Sequence, residues 1–501
     1  MSPKDLASLS PVLIANRGEI AVRIVRACRE LGILTVAVYS EADAGALHTR
    51  LANAAIEIGP SEASFSYLNI ARILDAAKQS GARAVHPGYG FLAENVEFAE
   101  AVVAKGLRWV GPPSGAMRAM GEKSQARALM EKAGVPVLLG SQGVDDVVSL
   151  TNAARKIGFP VVVKAAGGGG GMGQRIVEQQ DELGDAISAA RREAKHAFGD
   201  GRLVLEKFLL FARHIEFQVL GDQHGNLVHL FERECSLQRR RQKIVEETPS
   251  PLIDDELREE MGSAAVAAAS SVGYTNAGTV EFLVDPQTRK FYFLEMNTRL
   301  QVEHPITELV CSHDIVQWQL RIAAGERLPF MQDEIQRRGH AIECRVYAED
   351  PEIGFLPATG TAYKVILPQG PGIRVDNGVA EGAQVTTYYD PLLAKVIVHA
   401  EDREAALLRM QAALKETAFL GLTTNIEFLQ DLLAHPDVLA GNYDTNTVER
   451  EFANWSRGQQ ISPEALIAAA LADRRGDMNL AGPQFTTPWE SQNGFRLGGT
   501  K

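Results

Sequence analysis

The sequence predicts an α/β chain of two or three domains, on three observations. A strand–helix–strand unit opens the chain at 11–39. Two strands bracket five consecutive glycines at 159–177. An aromatic strand at 291–294 turns abruptly polar and is preceded by a strand hairpin. With 501 residues, each domain can bury a core of its own. A formal net charge of −12 argues against general nucleic-acid binding, though not against a local basic site for an anion. Cys28, Cys235, Cys311 and Cys344 are scattered without a CxxC pair, which suits a reducing compartment better than disulfides or zinc. No apolar run reaches about 18 residues, and MSPKDLASLS lacks a signal-peptide layout, so no membrane span and a cytoplasmic location are expected.

In chain order, PVLIAN reads as a buried strand, NRGE as a turn, IAVRIVRACRELG as an amphipathic helix with Gly32 at its end, and ILTVAVYS as the next strand. The turn is not GxGxxG, so the dinucleotide fingerprint fails. Arg23, Arg26 and Glu30 share one helical face and are expected to form a solvated ion-pair surface. A second βα unit carries the loop His86–Pro87–Gly88–Tyr89–Gly90, a ligand loop or a plain turn, and LRWVGPP closes this domain. A helix carrying Lys123 leads to FPVVVKAAGGGGGMGQRIV, where a strand delivers Lys164 to the glycines and a second strand returns. Glycines let backbone amides close around phosphate oxygens, so this reads as a hairpin flap. It is not a Walker loop, because no GK[ST] opens a helix after it.

LVLEKFLL follows, a strand interrupted by Glu206 and Lys207, either an adenine-binding pair or an exposed ion pair. The hairpin around DQHGN leads into Arg239, Arg240, Arg241 and Lys243, expected to form an anion pocket. GTVEFLV offers Glu281 as a carboxylate. In FYFLEMNTRLQVEHP, the odd positions Glu295, Asn297 and Arg299 share a strand face. Carboxylate and carboxamide oxygens suit Mg²⁺ better than a soft metal. Glu295 to Glu303 would span roughly 26 Å as a strand, too long for one site, so the chain is expected to bend near Arg299. Beyond Pro305, ITELVCSHDIVQWQLRIAAGE predicts one amphipathic helix ended by Gly325. HAIECRVYAED is a strand with Arg345 among apolar neighbours, 360–400 short strands, and 402–434 two helices. From about 456 an Ala-rich helix and a Gly/Pro/Asn-rich tail read as a linker or the start of a following domain.

Taken together, IANRGEIAVRI, HPGYGFLAEN, MGEK, the glycine flap, ERECSLQRRRQK and EMNTRLQVEHPITE resemble the biotin carboxylases, a branch of the ATP-grasp enzymes, over about 11–453. Within that family the chain is most similar to bacterial acyl-CoA carboxylase α-subunits. The resemblance implies a parallel α/β domain at 1–122, a helical linker at 123–137 and a mobile glycine-flap lid at 138–210. The large ATP-grasp part with a β-rich C-terminal region would occupy 211–455, with a linker at 456–501. It implies ATP-dependent carboxylation of biotin by bicarbonate through carboxyphosphate, with Mg²⁺ or Mn²⁺ and with biotin on a carrier domain not present in this chain. The biotin carboxylase part of a pyruvate or urea carboxylase, or a nucleotide-binding scaffold without turnover, are the alternatives.

The roles so implied are specific. Lys123, Lys164 and Gly168, Gly169, Gly170 and Gly171 would hold phosphates, with His214 and Gln238 at the nucleotide. Glu206, Lys207 and Leu209 would line the adenine slot, and Glu281, Glu295 and Asn297 would hold the metal. Lys243, Arg299, Gln301 and the Val302 backbone would bind bicarbonate, with Glu303 as general base and Arg345 as enolate stabiliser. Partners implied are the carrier, a carboxyltransferase subunit and a second copy or a larger complex. Met172, Gln174, Arg241 and Pro371 depart from the family pattern; the first two alter the flap, Arg241 the ribose side and Pro371 the dimer interface. No Met-Lys-Met biotin-acceptor motif occurs, and TTPWESQNGFRLGG resembles the start of a following region.

Overall fold

The computed structural model describes residues 6–141, 146–165, 175–198, 201–458 and, in the C-terminal stretch, 463, 466–468, 470 and 471. The chain divides into two compact units, Met1–Trp455 and Ser456–Lys501; in the second, 456–458 are irregular and the described positions from 463 on are helical. No described helix is long and apolar enough to cross a membrane.

The N-terminal sheet is parallel, with β1 (Val12–Ile14) at its centre, β2 (Thr35–Tyr39) and β3 (Ala54–Glu57) on one side, and β4 (Ala84–His86) and β5 (Arg108–Trp109) on the other. Every residue of β1 is buried, which its unbroken apolar run requires of a strand covered on both faces. Strand order reverses at β1, and parallel sheets bind ligands at that switch. Here Asn16 donates from Nδ2 to the carbonyls of Pro87 and Tyr89, at 2.7 Å each, and locks the turn after β1 to the loop after β4. Gly88 in that loop has φ +64°, and a Cβ there would lie 2.9 Å from the same Asn16 nitrogen, so the close approach needs glycine.

A small antiparallel sheet follows, with β6 (Val161–Ala165) between β7 (Arg175–Val177) and β8 (Leu203–Lys207). The helices Val147–Ile157 and Leu183–Phe198 cover it through Leu150, Ala154, Ile187 and Ala190. β6 and β7 form the expected hairpin, and Gly168, Gly169, Gly170, Gly171, Met172 and Gln174 between them lie outside the described residues.

The largest sheet has eight antiparallel strands. In chain order these are β9 (Arg213–Gly221), β10 (Leu227–Arg239), β11 (Gln242–Thr248), β12 (Asn276–Val284), β13 (Phe291–Asn297) and β14 (His340–Tyr347), then Ile373–Asn377 and Leu392–Ala400. The helix Asp255–Ser271 buries Leu257, Met261 and Ala265 in one cluster with Phe217, Val280 and Phe282. A second cluster joins Ile306, Val310, Ile315 and Leu320 to Leu220, Val228 and Ala277 of this sheet and to Ile14, Ile20 and Ile24 of the N-terminal layer. Shared apolar burial therefore fixes the two sheets against each other.

Two expectations need correction. The predicted single helix after Pro305 is two, His304–Cys311 and Ile315–Ala323. Ser312 adopts φ 56° and ends the first; Asp314 accepts the Gln317 amide proton at 2.7 Å and caps the second. A cap inside an apolar period interrupts the helix without disturbing its hydrophobic face. Nor is Arg23 on a solvated face. It is buried, and its guanidinium lies 2.9 Å from Glu308 and 2.7 Å from Asp314, while Arg26 and Glu30 stay exposed. The covering segments come from nearly 300 residues away in sequence, where helix periodicity has no reach.

Glu308 sits between Arg23 and Arg374, the latter at 2.7 Å. Burial raises its pKa, but the two guanidiniums outweigh that and bring it down to about 2. A lowered folded-state pKa stabilises above the unfolded value near 4.5 and is lost as pH falls through the folded one. Glu308→Gln should therefore lower the urea midpoint at neutral pH, by on the order of 3 kcal/mol in unfolding free energy. The gap from the unaltered chain should close as pH falls from about 5 to about 2; a gap constant with pH would contradict the ion-pair account.

Candidate active site

A cavity of about 950 Å³ opens where the carboxyl end of β1, the small sheet and the large sheet converge. At one end Leu138, Val162, Ile176, Leu209, Leu283 and Leu294 line an apolar slot, with Glu206 and Lys207 beside it. Glu206 is paired with Lys164, and the Lys207 ammonium donates to the carbonyls of Gly158 (3.1 Å) and Phe159 (2.7 Å). A flat apolar group with a polar edge fits such a slot. Lys123 begins the helix Lys123–Lys132, and its side chain lies outside the described set.

The polar end is built on strand alternation. Glu281 faces Glu295 in the β12–β13 register, and Asn297 follows two residues on, so the three share the cavity face. Glu281 is a hub: His214 Nε2 is 2.9 Å from Oε2, while Oε1 accepts from Asn297 Nδ2 (2.8 Å), Lys243 Nζ (3.0 Å) and Gln301 Nε2 (3.2 Å). Gln238 approaches the other His214 nitrogen at 3.4 Å. β13 ends at Asn297, two residues before the expected bend, and the chain turns through 298–303 into the helix His304–Cys311. The turn brings Arg299 back, where it donates to Asn297 Oδ1 (3.1 Å), Gln301 Oε1 (2.9 Å) and Glu94 Oε2 (3.0 Å).

Glu303 does not itself line the cavity: it is fully buried behind Lys243 and Arg345, which do, with Lys243 Nζ 2.6 Å from one oxygen and Arg345 Nη2 3.0 Å from the other. Burial pushes its carboxyl up, but Lys243, Arg345 and Arg233 together hold it well below the usual range, so it is ionised. Lys243 reaches three carboxylates, Glu216 (2.5 Å), Glu281 (3.0 Å) and Glu303 (2.6 Å). That surround outweighs burial and keeps the ammonium charged. Arg345 donates from Nε to Glu246 Oε1 at 2.6 Å. Burial raises Glu246 to about 7 despite that guanidinium.

Of the basic run, Arg240, Arg241 and Lys243 line the cavity and Arg239 does not. Lys243 alone reaches the centre of the site. Arg240 and Arg241 take positive φ between β10 and β11 and sit at the cavity rim, while Arg239 turns to the Phe355 ring at 4.1 Å and to the Gly354 carbonyl at 2.6 Å. Strand alternation across a tight reversal sends adjacent side chains in different directions. Glu216, Glu246 and Glu94 escaped the sequence reading. Glu216 in IEFQV carried a usable signal, a charge inside an apolar strand like that of Arg345.

Glu281, Glu295 and Asn297 present hard oxygens on one wall, a donor set that fits a divalent cation of the magnesium class. Among the described residues, the other groupings of metal-donor side chains are His214–Glu216–Glu281 and Glu216–Cys235–Glu303. Lys243 already lies between their carboxylates, which disfavours a second cation there.

Three family models match the chain: the biotin carboxylase N-terminal domain at 8–117, the carbamoyl-phosphate synthase L chain ATP-binding domain at 122–331, and the biotin carboxylase C-terminal domain at 343–450. A biotin carboxylase of Nostoc is 51% identical, the match covering 87% of this chain and 98% of the relative. The mitochondrial methylcrotonoyl-CoA carboxylase subunit alpha of Dictyostelium discoideum is 47% identical over 99% of this chain and 72% of its own length. For the rice subunit the values are 50%, 88% and 60%, so the chain spans well under two thirds of that relative. A crystal structure of the Hydrogenobacter thermophilus 2-oxoglutarate carboxylase biotin carboxylase domain dimer, in complex with MgADP, ADP and bicarbonate, aligns with TM-score 0.85 at 47% identity. That alignment covers 90% of this chain and 99% of the domain. The Campylobacter jejuni biotin carboxylase bound to a β,γ-ATP ligand aligns with TM-score 0.84 at 44% identity, covering 88% and 98%.

Proposed function

The chain belongs to the biotin carboxylase family, and from that premise we propose that it uses ATP and bicarbonate to carboxylate biotin presented by a carrier domain. The observation that carries this is Glu303, an ionised carboxylate held between Lys243 and Arg345 beside the oxygen-donor wall. Bicarbonate is a poor nucleophile, so a base must take its proton as an oxygen attacks the γ-phosphorus and ADP leaves. Glu303 is that base. As the structure stands, Lys243, Arg345 and Arg233 hold its proton affinity down. An anion entering between Lys243, Arg299 and Gln301 competes for Lys243 and raises the proton affinity of Glu303 when the proton must move.

Lys164 and Lys123, with Gly168, Gly169, Gly170 and Gly171, hold the phosphates, and His214 and Gln238 face the nucleotide. Glu206, Lys207 and Leu209 take the adenine. Val302 completes the bicarbonate contacts through its backbone. Glu281, Glu295 and Asn297 would hold a divalent ion, which would supply neutralisation of phosphate charge. Carboxyphosphate then yields CO₂ and phosphate, the phosphate takes the ureido proton of biotin, and Arg345 stabilises the resulting oxyanion as the nitrogen attacks CO₂. We assign the lid to 138–210, supported by the separate core of the small sheet.

The methylcrotonoyl-CoA carboxylase α-subunits among its relatives favour the first half-reaction of an acyl-CoA carboxylase, with a carboxyltransferase subunit as the later partner. Four buried free thiols fit the reducing cytoplasm. ADP release should depend on bicarbonate and rise with free biotin; hydrolysis indifferent to both would overturn the assignment.

A further inference from the structure

Behind the anion-binding turn lies a cation that no reaction step above uses. Lys395, in the strand Leu392–Ala400, is fully buried. Its ammonium donates to the Val302 carbonyl at 2.7 Å and lies 3.3 Å from Glu19 Oε1 and 3.8 Å from Asp376 Oδ2. Burying an ammonium costs several kcal/mol unless it is well paired, so its place needs a reason.

The geometry supplies one. The Val302 carbonyl shares a rigid peptide plane with the Glu303 nitrogen, so a donor fixed on that oxygen sets the orientation in which Glu303 leaves the turn. Glu303 also stands at the N-cap position of the helix His304–Cys311, so the same peptide plane leads directly into that helix. The anchors of Lys395 are themselves fixed. Asp376 takes two bonds from Arg374, at 3.1 and 2.7 Å, and Glu19 stands in the first turn of the helix Gly18–Glu30. Glu19 also accepts the Tyr89 hydroxyl, and Tyr89 lines the cavity.

We infer that Lys395 is a positioning residue: it grips the turn from behind, aims Glu303 and the Val302 backbone at bicarbonate, and through Glu19 ties that aim to Tyr89 of the N-terminal layer. This role rests on the proposed carboxylase reading and concerns the bicarbonate half of the site, not the nucleotide half.

Steady-state ADP release by the whole chain separates the possibilities. Lys395→Met should raise KM for bicarbonate about tenfold, the loss of one good hydrogen bond's worth of alignment. KM for ATP should change less than about twofold, because the adenine slot and phosphate lysines are untouched. Lys395→Arg keeps a donor and a charge and should recover part of the bicarbonate KM. If Lys395→Met does not accumulate folded, Lys395→Met with Glu19→Gln removes the opposed charge as well, and the same KM split is expected of it. Equal loss against both substrates, or an unchanged bicarbonate KM, overturns the positioning role. Unaltered chain that lacks bicarbonate-dependent ADP release overturns the carboxylase reading itself, and the role with it.

Discussion

Glu303→Gln is expected to abolish bicarbonate-dependent ADP release, lowering it by about 10²–10⁴-fold, the range for loss of a positioned general base. Nucleotide affinity, measured by equilibrium titration, should stay within a few-fold. Glu303 is paired with Lys243 and Arg345, which line the polar end of the cavity, so the amide disturbs that end. Gln also removes a charge that two buried cations compensate, and some stability will go with it. The titration therefore matters as much as the rate. A variant that binds nucleotide but retains bicarbonate-dependent turnover would remove Glu303 from the chemistry.

The second large effect is expected at Arg345. Arg345→Ala should cut carboxybiotin formation about 10²-fold or more, the loss found for a single oxyanion donor, while bicarbonate-dependent ATP hydrolysis falls less. Two consequences can be read separately. Arg345 helps hold Glu303 low, so its removal raises the Glu303 pKa and should move the acid limb of the pH–rate profile for hydrolysis to higher pH. Arg345→Lys keeps a charge without the fork that spans Glu246 and Glu303, and should restore the pH limb more fully than the carboxylation rate. Parallel loss of both activities in Arg345→Lys would mean that Arg345 serves the fold of the site rather than the biotin step.

Much of this site was legible because strand chemistry is local. Glu295 and Asn297 follow an apolar run at a spacing of two, so their shared face follows from the pleat alone. Glu281 lies in a strand of the same kind, and pairing in register set it opposite Glu295. The bend before Glu303 followed from length, since a straight strand would carry the base out of reach. Arg345 stood out as a charge among apolar neighbours, the same signal that Glu216 gave and that went unused.

Other features had no local signature. Whether Arg23 meets water or Glu308 depends on a helix nearly 300 residues on, and helical periodicity reports only which residues share a face. The four cations of the basic run look equivalent as composition, yet the turn at Arg240 and Arg241 leaves only Lys243 at the centre. Lys395 reads as one charge in an apolar strand, and its grip on Val302 exists only once the strand Leu392–Ala400 lies behind the turn. The sequence by itself determined the strands, the donor types and the family, because these depend on short-range pleat, turn and motif chemistry. Tertiary structure decided which charges meet, because a buried ion pair joins residues distant along the chain and its strength depends on the water that folding excludes.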